Sequence, residues 1–181
     1  MATALQRMTV EEFEAWSDAR PGEMHELVDG MPRLMAGPGE PHAELQVALG
    51  AEVRARLKPP CRIVGQVGLV LDSYNERIPD LAIVCGERGK KRLVDAEAVI
   101  EILSDSTAAY DLGEKRLRYM QLPGLTEIWL VASDRRQLER WRRGDDGKWL
   151  GELLVEENAT LASPLLTEPI PLGPLWAGVG L

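Results

Sequence analysis

Three residues near the middle of the 181-residue chain have the chemistry of a metal-dependent hydrolase. Asp80 opens a short apolar run, and Glu101 is the one polar residue of a second run, Ala98-Val-Ile-Glu-Ile-Leu103. Such a run predicts a strand buried on both faces. An ionised carboxylate there is costly unless a cation, a positive side chain or a metal compensates it. Glu101 therefore needs a partner, and Lys115 lies on the helix predicted to follow.

Two carboxylates with a lysine nearby suit metal-assisted hydrolysis of a phosphodiester. Because the two apolar runs are predicted to be neighbouring strands, Asp80 and Glu101 can lie side by side and hold Mg²⁺, with Mn²⁺ as a substitute. Lys115 would orient the attacking water or offset charge in the transition state. The structural alternative is a buried Glu101–Lys115 ion pair in a catalytically inactive fold.

The composition predicts a globular chain of ordinary core size. It is 45% hydrophobic, and no apolar run approaches the roughly 18 residues that span a bilayer. The amino terminus lacks the order of a signal peptide, so we expect a soluble cytoplasmic protein. Cys61 and Cys85 form no Cys-x-x-Cys or Cys/His pattern, which favours two buried free thiols over a disulfide or zinc site.

The formal net charge of -8 argues against a protein that coats nucleic acid non-specifically. Basic residues nevertheless concentrate in the part of the chain that holds the candidate site, between Gly86 and Arg143. Such runs are also typical of ordinary solvated surfaces. The charge therefore leaves open both DNA hydrolysis and a module that binds nucleic acid or protein.

Periodicity and capping signals predict an α/β (α+β) sandwich of mixed sheet and flanking helices. The expected order is a helix from a capping box at Thr9 to Trp16, a hairpin over 25–35, a helix near 45–57, strands over 61–71, 80–84 and 98–103, a helix ending before Pro123, a strand over 127–131, and a meander over 137–155. A turn is expected over 72–77. The proline-rich tail after Asn158 is predicted to be an extended segment wrapped on the body or on a partner, and if exposed it would suggest a homodimer interface.

Several spaced motifs together resemble a known family. They are Ile78-Pro-Asp80-Leu, Glu101-Ile-Leu-Ser-Asp-Ser-Thr107, Asp111-x-x-x-Lys115-x-x-x-Tyr119 and Glu127-Ile-Trp-Leu-Val, with His25-Glu26-Leu-Val-Asp-Gly30 and His42 upstream. In this order they are similar to the small bacterial "putative restriction endonucleases" of the Uma type, in the PD-(D/E)xK nuclease superfamily. The likeness spans roughly Thr9 to Asp134.

The resemblance implies a restriction-endonuclease-like core and a Mg²⁺-dependent endonuclease that hydrolyses DNA. By it, Asp80 and Glu101 are the metal-binding acids. The usual lysine position, two residues after the acid, holds Leu103, and the matching lysine is Lys115 on the following helix. We expect one nuclease-like domain over 1–181, with a core at about 40–134, an N-terminal helix and hairpin over 1–39, and a β-rich end with an extended tail over 135–181.

Other residues of the matching motifs have structural alternatives. Glu26 corresponds to the family's amino-terminal acid, as a further ligand or an outer-shell group, yet it also suits the polar face of a strand. His42 and Asp111 are additional candidates with plain capping roles as alternatives, and Asp111 could instead pair with Lys115. Core packing explains Tyr119 and Trp129 better than base stacking. The Ser104-Asp-Ser-Thr107 cluster favours a structural turn over a phosphate cradle.

Two further functions remain open beside the DNA endonuclease. One is the inactive nuclease-fold module that binds nucleic acid or protein. The other is a metal phosphodiesterase acting on nucleotides, for which a closed pocket beside Asp80 would be expected in place of a concave basic surface.

Overall fold

The computed structural model describes residues 7–89, 91–103 and 110–181, and of residues 110–112 it describes the backbone alone. Within these ranges the helices are α1 (Val10–Asp18), α2 (Glu40–Arg56), α3 (Tyr110–Tyr119) and α4 (Leu172–Gly178). The strands are β1 (His25–Val28), β2 (Met31–Leu34), β3 (Arg62–Gly65), β4 (Leu69–Asp72), β5 (Asn75–Arg77), β6 (Leu81–Val84), β7 (Ala98–Leu103), β8 (Glu127–Ala132), β9 (Leu138–Arg143), β10 (Trp149–Leu154), β11 (Thr160–Leu161) and β12 (Ile170–Pro171). Among the described residues, no helix combines the length and apolar character needed to cross a membrane.

The predicted fold class is confirmed, because a central mixed sheet of six strands is flanked by helices. Its strand order is β10-β9-β8-β7-β6-β3. The β7 and β8 strands run parallel, since α3 connects them as a crossover, and the other neighbours are antiparallel. The strand that carries Glu101 therefore has a partner on each side, and its six residues are all buried.

One face of the central sheet packs against α2. Leu45, Leu49 and Val53 recur every four residues on this helix, and all three are fully buried against the sheet. Along β7 the side chains alternate, so Ile100 and its equivalents face α2. The same alternation turns Glu101 toward the opposite face, where Tyr119 of α3 is buried.

A second sheet of four strands, in the order β2-β1-β5-β4, adjoins the central one. The predicted capping box is present at Thr9, and it starts α1, which packs through Val10 and Phe13 against Leu27 of β1. The predicted hairpin forms β1 and β2, with Asp29 at a φ of 49° in its turn. This sheet carries Glu26 toward the centre of the molecule.

The predicted single strand over 61–71 is wrong, because the chain leaves the central sheet within it. The β3 strand pairs with β6, whereas β4 pairs with β5 in the second sheet. Gln66, at a φ of 51°, breaks the strand between them. A Cβ at Gly68 would overlap the carboxylate of Glu76, so the close approach of the backbone here requires glycine. The predicted turn over 72–77 is likewise shorter, since its last three residues form β5.

The carboxyl-terminal segment wraps on the body as predicted but is not wholly extended. It forms the β11 and β12 pair and then α4. Its backbone bonds to the end of α2, as in the contact from Thr167 N to Arg56 O at 2.7 Å. Leu161, Leu166 and Trp176 are buried in the core on the α2 side. Because these apolar residues are buried, the tail gives no support for a homodimer interface. The homodimer stays a prediction.

Cys61 and Cys85 are joined by a disulfide, so the prediction of two free thiols is wrong. The cause is strand register. Arg62 of β3 pairs with Val84 of β6, which places the two cysteines opposite each other one position further along. They are 24 residues apart in sequence, so the short-spacing patterns that reveal metal or redox motifs do not apply to them.

Candidate active site

Glu101 is buried on the α3 face of the central sheet and has two positive or polar partners there. The hydroxyl of Tyr119 donates to its Oε1 at 2.7 Å, and Lys115 Nζ lies 3.5 Å from the same oxygen. Both contacts are made to Oε1. One carboxylate oxygen of Glu101 is therefore held by the protein.

Asp80 lies beside Glu101, as the two adjacent apolar runs predict. Leu81 pairs with Ile100 across β6 and β7, which brings the start of β6 level with Glu101. The Oδ2 atom of Asp80 accepts a hydrogen bond from the backbone N–H of Ile102 at 2.7 Å. Its position is thus fixed by the neighbouring strand.

Helix α2 fixes Asp80 from the other side. His42 Nε2 lies 2.9 Å from Asp80 Oδ1, and Gln46 Nε2 donates to the backbone oxygen of Asp80 at 2.8 Å. Both side chains come from the first two turns of α2, whose next turns are anchored in the core. The aspartate is therefore a shared contact point of the sheet and the helix.

Lys115 joins the second sheet to the central one. Its Nζ lies 2.9 Å from Glu26 Oε1 and 3.5 Å from Glu101 Oε1. Glu26 is buried and also accepts from the N–H of Ile78 at 3.0 Å. A lysine on the helix does reach the strand that carries Glu101, as the 3.5 Å contact shows.

Burial and mutual charge perturb the titration of this cluster. Burial raises the pKa of Glu101 to about 7; the charge of Lys115 opposes this shift, and the negative charges of Asp80 and Glu26 add to it. Burial disfavours the ammonium of Lys115, but Glu101 and Glu26 outweigh it, so its pKa is raised. The hydrogen bond to Asp80 raises the pKa of His42.

The donor set fits a magnesium ion better than a metal caged by protein. In the described part of the chain, no group of three or more His, Cys, Asp and Glu side chains is arranged to hold a metal. Magnesium commonly takes one or two carboxylates and completes its shell with water and substrate oxygens. Asp80 and Glu101 would supply two such ligands. Lys115 contacts Glu26 and Glu101 directly, and the negative charge of Asp80 also favours its ammonium.

The structure thus brings together Glu26, His42, Asp80, Glu101 and Lys115. The remaining candidates fall elsewhere. The backbone of Asp111 belongs to α3 but its side chain is outside the description, and so is the whole Ser104-Asp-Ser-Thr107 cluster. Trp129 is buried on the α2 side of the sheet, where its Nε1 donates to Glu127 at 3.0 Å.

Sequence reasoning missed two contacts of the site. Tyr119 is buried, as predicted, but its hydroxyl also bonds to Glu101. Its spacing of four residues from Lys115 was a usable signal, because residues at i and i+4 share a helix face. Gln46, one turn after His42, carries the same kind of signal. No sequence signal marked Tyr119 as the partner of the Glu101 carboxylate or Gln46 as the partner of the Asp80 backbone oxygen.

Comparisons with known proteins agree with this architecture. Residues 10–170 match the sequence profile of a family described as "Uma2: Putative restriction endonuclease". The "Uncharacterized protein slr1290" of Synechocystis sp. is 30% identical over 150 residues, which are 80% of this chain and 78% of that protein. A crystal structure described as a "putative nuclease belonging to DUF820" from Anabaena variabilis has a TM-score of 0.77 at 18% identity, and the alignment covers 95% of this chain and 99% of that chain.

The structural likeness defines the class of protein: the chain has the mixed α+β fold of that nuclease-type structure. The match over residues 10–170 then shows that it belongs to the Uma2 family. The resemblance drawn from the spaced motifs is therefore confirmed.

Proposed function

We propose that this protein is a metal-dependent endonuclease that hydrolyses phosphodiester bonds of DNA. One observation supports this most directly. Asp80, Glu101 and Lys115, which are separated in sequence, meet at one place on the central sheet, with Glu26 and His42 as immediate partners. Membership of a family described as "Putative restriction endonuclease" supports the same reaction class.

In this proposal Asp80 and Glu101 hold Mg²⁺, with Mn²⁺ as a substitute. When bound, the ion would polarise the phosphoryl oxygen and lower the pKa of a coordinated water. The Ile102 N–H and His42 keep Asp80 oriented toward the site. Tyr119 holds Oε1 of Glu101, and Oε2 would be the ligating oxygen.

Lys115 supplies the positive charge of the site. Its raised pKa keeps the ammonium charged at neutral pH, so it can orient the attacking water or stabilise charge on the phosphoryl group in the transition state. Glu26 holds the ammonium 2.9 Å from its own carboxylate. We therefore assign Glu26 the role of a positioning residue for Lys115.

The alternative function is a catalytically inactive module of the same fold that binds nucleic acid or protein. The observation that favours it is the set of direct contacts from Lys115 to Glu26 and Glu101, which neutralise buried charge without any ion. The formal net charge of -8 also opposes strong attraction to a polyanion.

Magnesium titration by calorimetry, followed by plasmid nicking, separates the two functions. We expect the wild type to bind Mg²⁺ and nick plasmid DNA, and Glu101→Ala to lose both. Glu127→Gln is the matched control, because Glu127 is a buried carboxylate on the adjacent strand and lies outside the site. Absence of metal binding by the wild type at millimolar Mg²⁺ would exclude the proposed catalysis and leave the binding module.

A further inference from the structure

Arg77, at the end of β5, is a buried cation that links the second sheet to α3. Its side chain is 3% exposed. One guanidinium nitrogen donates to the backbone oxygen of Leu27 at 3.1 Å, and the other lies 3.5 Å from Glu114 Oε1. We propose that Arg77 is a positioning residue that keeps the ammonium of Lys115 within contact distance of Glu101. The consequence of this inference for catalysis rests on the proposed function.

The two contacts of Arg77 lie next to the two elements that Lys115 bridges. Leu27 follows Glu26 in β1, and Glu114 precedes Lys115 in α3. A single guanidinium therefore connects the backbone beside the acid with the helix beside the lysine. This link holds the two elements at the separation that the Glu26–Lys115 contact requires.

Apolar packing gives this part of α3 little anchorage. Among the described side chains of the helix, only that of Tyr119 is buried, and Leu117 is 58% exposed. Tyr119 lies one turn after Lys115, toward the end of the helix. The turn that carries Lys115 therefore depends on polar contacts, and Arg77 is the most buried of the cations that make them.

A second link between the same elements is more exposed. Arg118 lies 2.9 Å from Asp29 Oδ1 in the hairpin turn and 3.8 Å from Glu114 Oε1. Its side chain is 28% exposed, so water and salt screen this pair more strongly. The link through the buried guanidinium of Arg77 is accordingly the less screened of the two.

Stability alone gives a poor account of Arg77. Its Nε is buried and has no hydrogen-bond partner among the described residues, which is unfavourable for a buried guanidinium. A protein that carries an apolar side chain of similar volume at such a position is often equally stable. A role in fixing the geometry of the lysine explains why a cation stands there.

The test is the rate at which Lys115 is reductively methylated, followed by peptide mass spectrometry. Lys148 serves as the internal reference because it is 80% exposed. We expect Lys115 to react slowly in the wild type and about tenfold faster in Arg77→Met, as for the loss of one hydrogen bond to a charged group. Glu114→Gln should give a similar increase, and the double variant little more, because both changes remove the same contact.

Arg140→Gln is the matched control, since it removes an arginine from an ion pair with Glu152 on β10. We expect this variant to leave the methylation rate of Lys115 unchanged. Unchanged Lys115 reactivity in folded Arg77→Met and Glu114→Gln would overturn the proposal. If Arg77→Met does not fold, Glu114→Gln decides, because Glu114 is 43% exposed.

Plasmid nicking by the same variants separates this inference from the proposed function. If the wild type nicks DNA, we expect the Arg77 and Glu114 variants to lower kcat with KM unchanged, and Arg77→Lys to recover part of the loss. If the wild type does not nick DNA, the endonuclease proposal fails, while the methylation rates still decide whether Arg77 positions Lys115.

Discussion

The two helices that flank the central sheet both bring residues to the candidate site, but they are anchored by different forces. Helix α2, which carries His42, is held by three fully buried aliphatic side chains. Helix α3, which carries Lys115, is held largely by arginines. Hydrophobic anchorage is non-directional and insensitive to salt, whereas charged contacts fix direction and respond to salt and pH.

The arginines contact α3 and the turn after it from both sides. Arg143 of β9 donates to the backbone oxygens of Met120, Leu122 and Pro123, which follow the helix. Arg116 of the helix itself stacks 4.4 Å from the ring of Trp141. Together with Arg77, these contacts orient the helix where apolar packing is sparse. We expect the α2 side to dominate stability and the α3 side to dominate the geometry of the site.

The largest expected effect is on the α2 side, in Leu49→Ala. This side chain is fully buried, so its truncation should lower the free energy of unfolding by about 3 kcal/mol. Chemical denaturation at 0.1 M and at 1 M NaCl should give the same loss. Val47→Ala is the control on the same helix, because Val47 is 74% exposed. A loss that changed with salt would contradict hydrophobic anchorage.

Opening the Cys61–Cys85 disulfide should come next. The bond closes a loop between residues 24 apart, and both cysteines pack against the core on the α2 side. We expect the Cys61→Ser, Cys85→Ser double variant to lose about 3 kcal/mol of unfolding free energy. Magnesium affinity at the candidate site should not change, because the disulfide lies at the far end of β6 from Asp80. A drop in affinity would show that the site depends on this cross-link.

The pH dependence of the protein's stability should arise on the α3 side, at Glu101. Its pKa is raised from 4.5 to about 7, so between these values the folded protein holds more protons than the unfolded chain. The stability that this carboxyl contributes is complete below pH 4.5 and is lost as the pH rises through about 7. The wild type should therefore lose on the order of 2 kcal/mol more than Glu101→Gln between pH 5 and pH 8.

Thermal unfolding of both proteins across this range measures the difference. Other buried groups titrate in both proteins, so the difference between the two slopes reports Glu101 together with its effect on His42, whose pKa the charge of Glu101 helps to raise. Equal slopes would mean that the carboxyl does not titrate in this range. With Mg²⁺ present the wild-type slope should flatten or reverse, because bound metal favours the ionised carboxylate.

Removing one hydroxyl should have a smaller effect. In Tyr119→Phe the ring remains packed, but Glu101 loses the hydroxyl donor at 2.7 Å. We therefore expect the free energy of unfolding to fall by about 1 to 2 kcal/mol. Magnesium affinity should fall as well, since Oε1 is then free to turn. Tyr74→Phe is the control, because Tyr74 is 40% exposed. Unaltered metal binding in Tyr119→Phe would remove the hydroxyl from the site.

The pairing of Asp80 with Glu101 could be predicted because it depends on local patterns. Two consecutive apolar runs joined by the loop over 85–97 predict neighbouring strands, and a lone acid in a buried run demands a partner. The capping box at Thr9 and the hairpin turn at Asp29 are each decided within a few residues. Each of these signals lies within one run, cap or turn, so the sequence alone was sufficient.

Contacts that depend on register between distant strands could not be predicted. The Cys61–Cys85 bond requires knowing that β3 pairs with β6, and the Glu26–Lys115 pair joins a strand of the second sheet to helix α3. The break at Gln66 was hidden because the flanking apolar residues continue a plausible strand pattern. Arg77 resembled any other turn arginine until its neighbours were known.

The smallest expected effect is in Arg118→Gln, which removes the exposed link between α3 and the hairpin. The pair with Asp29 is partly solvated. We therefore expect the variant to lose about 0.5 kcal/mol of unfolding free energy at 0.1 M NaCl and to equal the wild type at 1 M NaCl. Denaturation curves of wild type and variant at the two salt concentrations measure this directly. Arg77→Met should differ in kind: because Arg77 is buried, its effect on Lys115 reactivity should persist at 1 M NaCl. If high salt abolished both effects equally, burial would not distinguish the two arginines, and α3 would be held by surface charge alone.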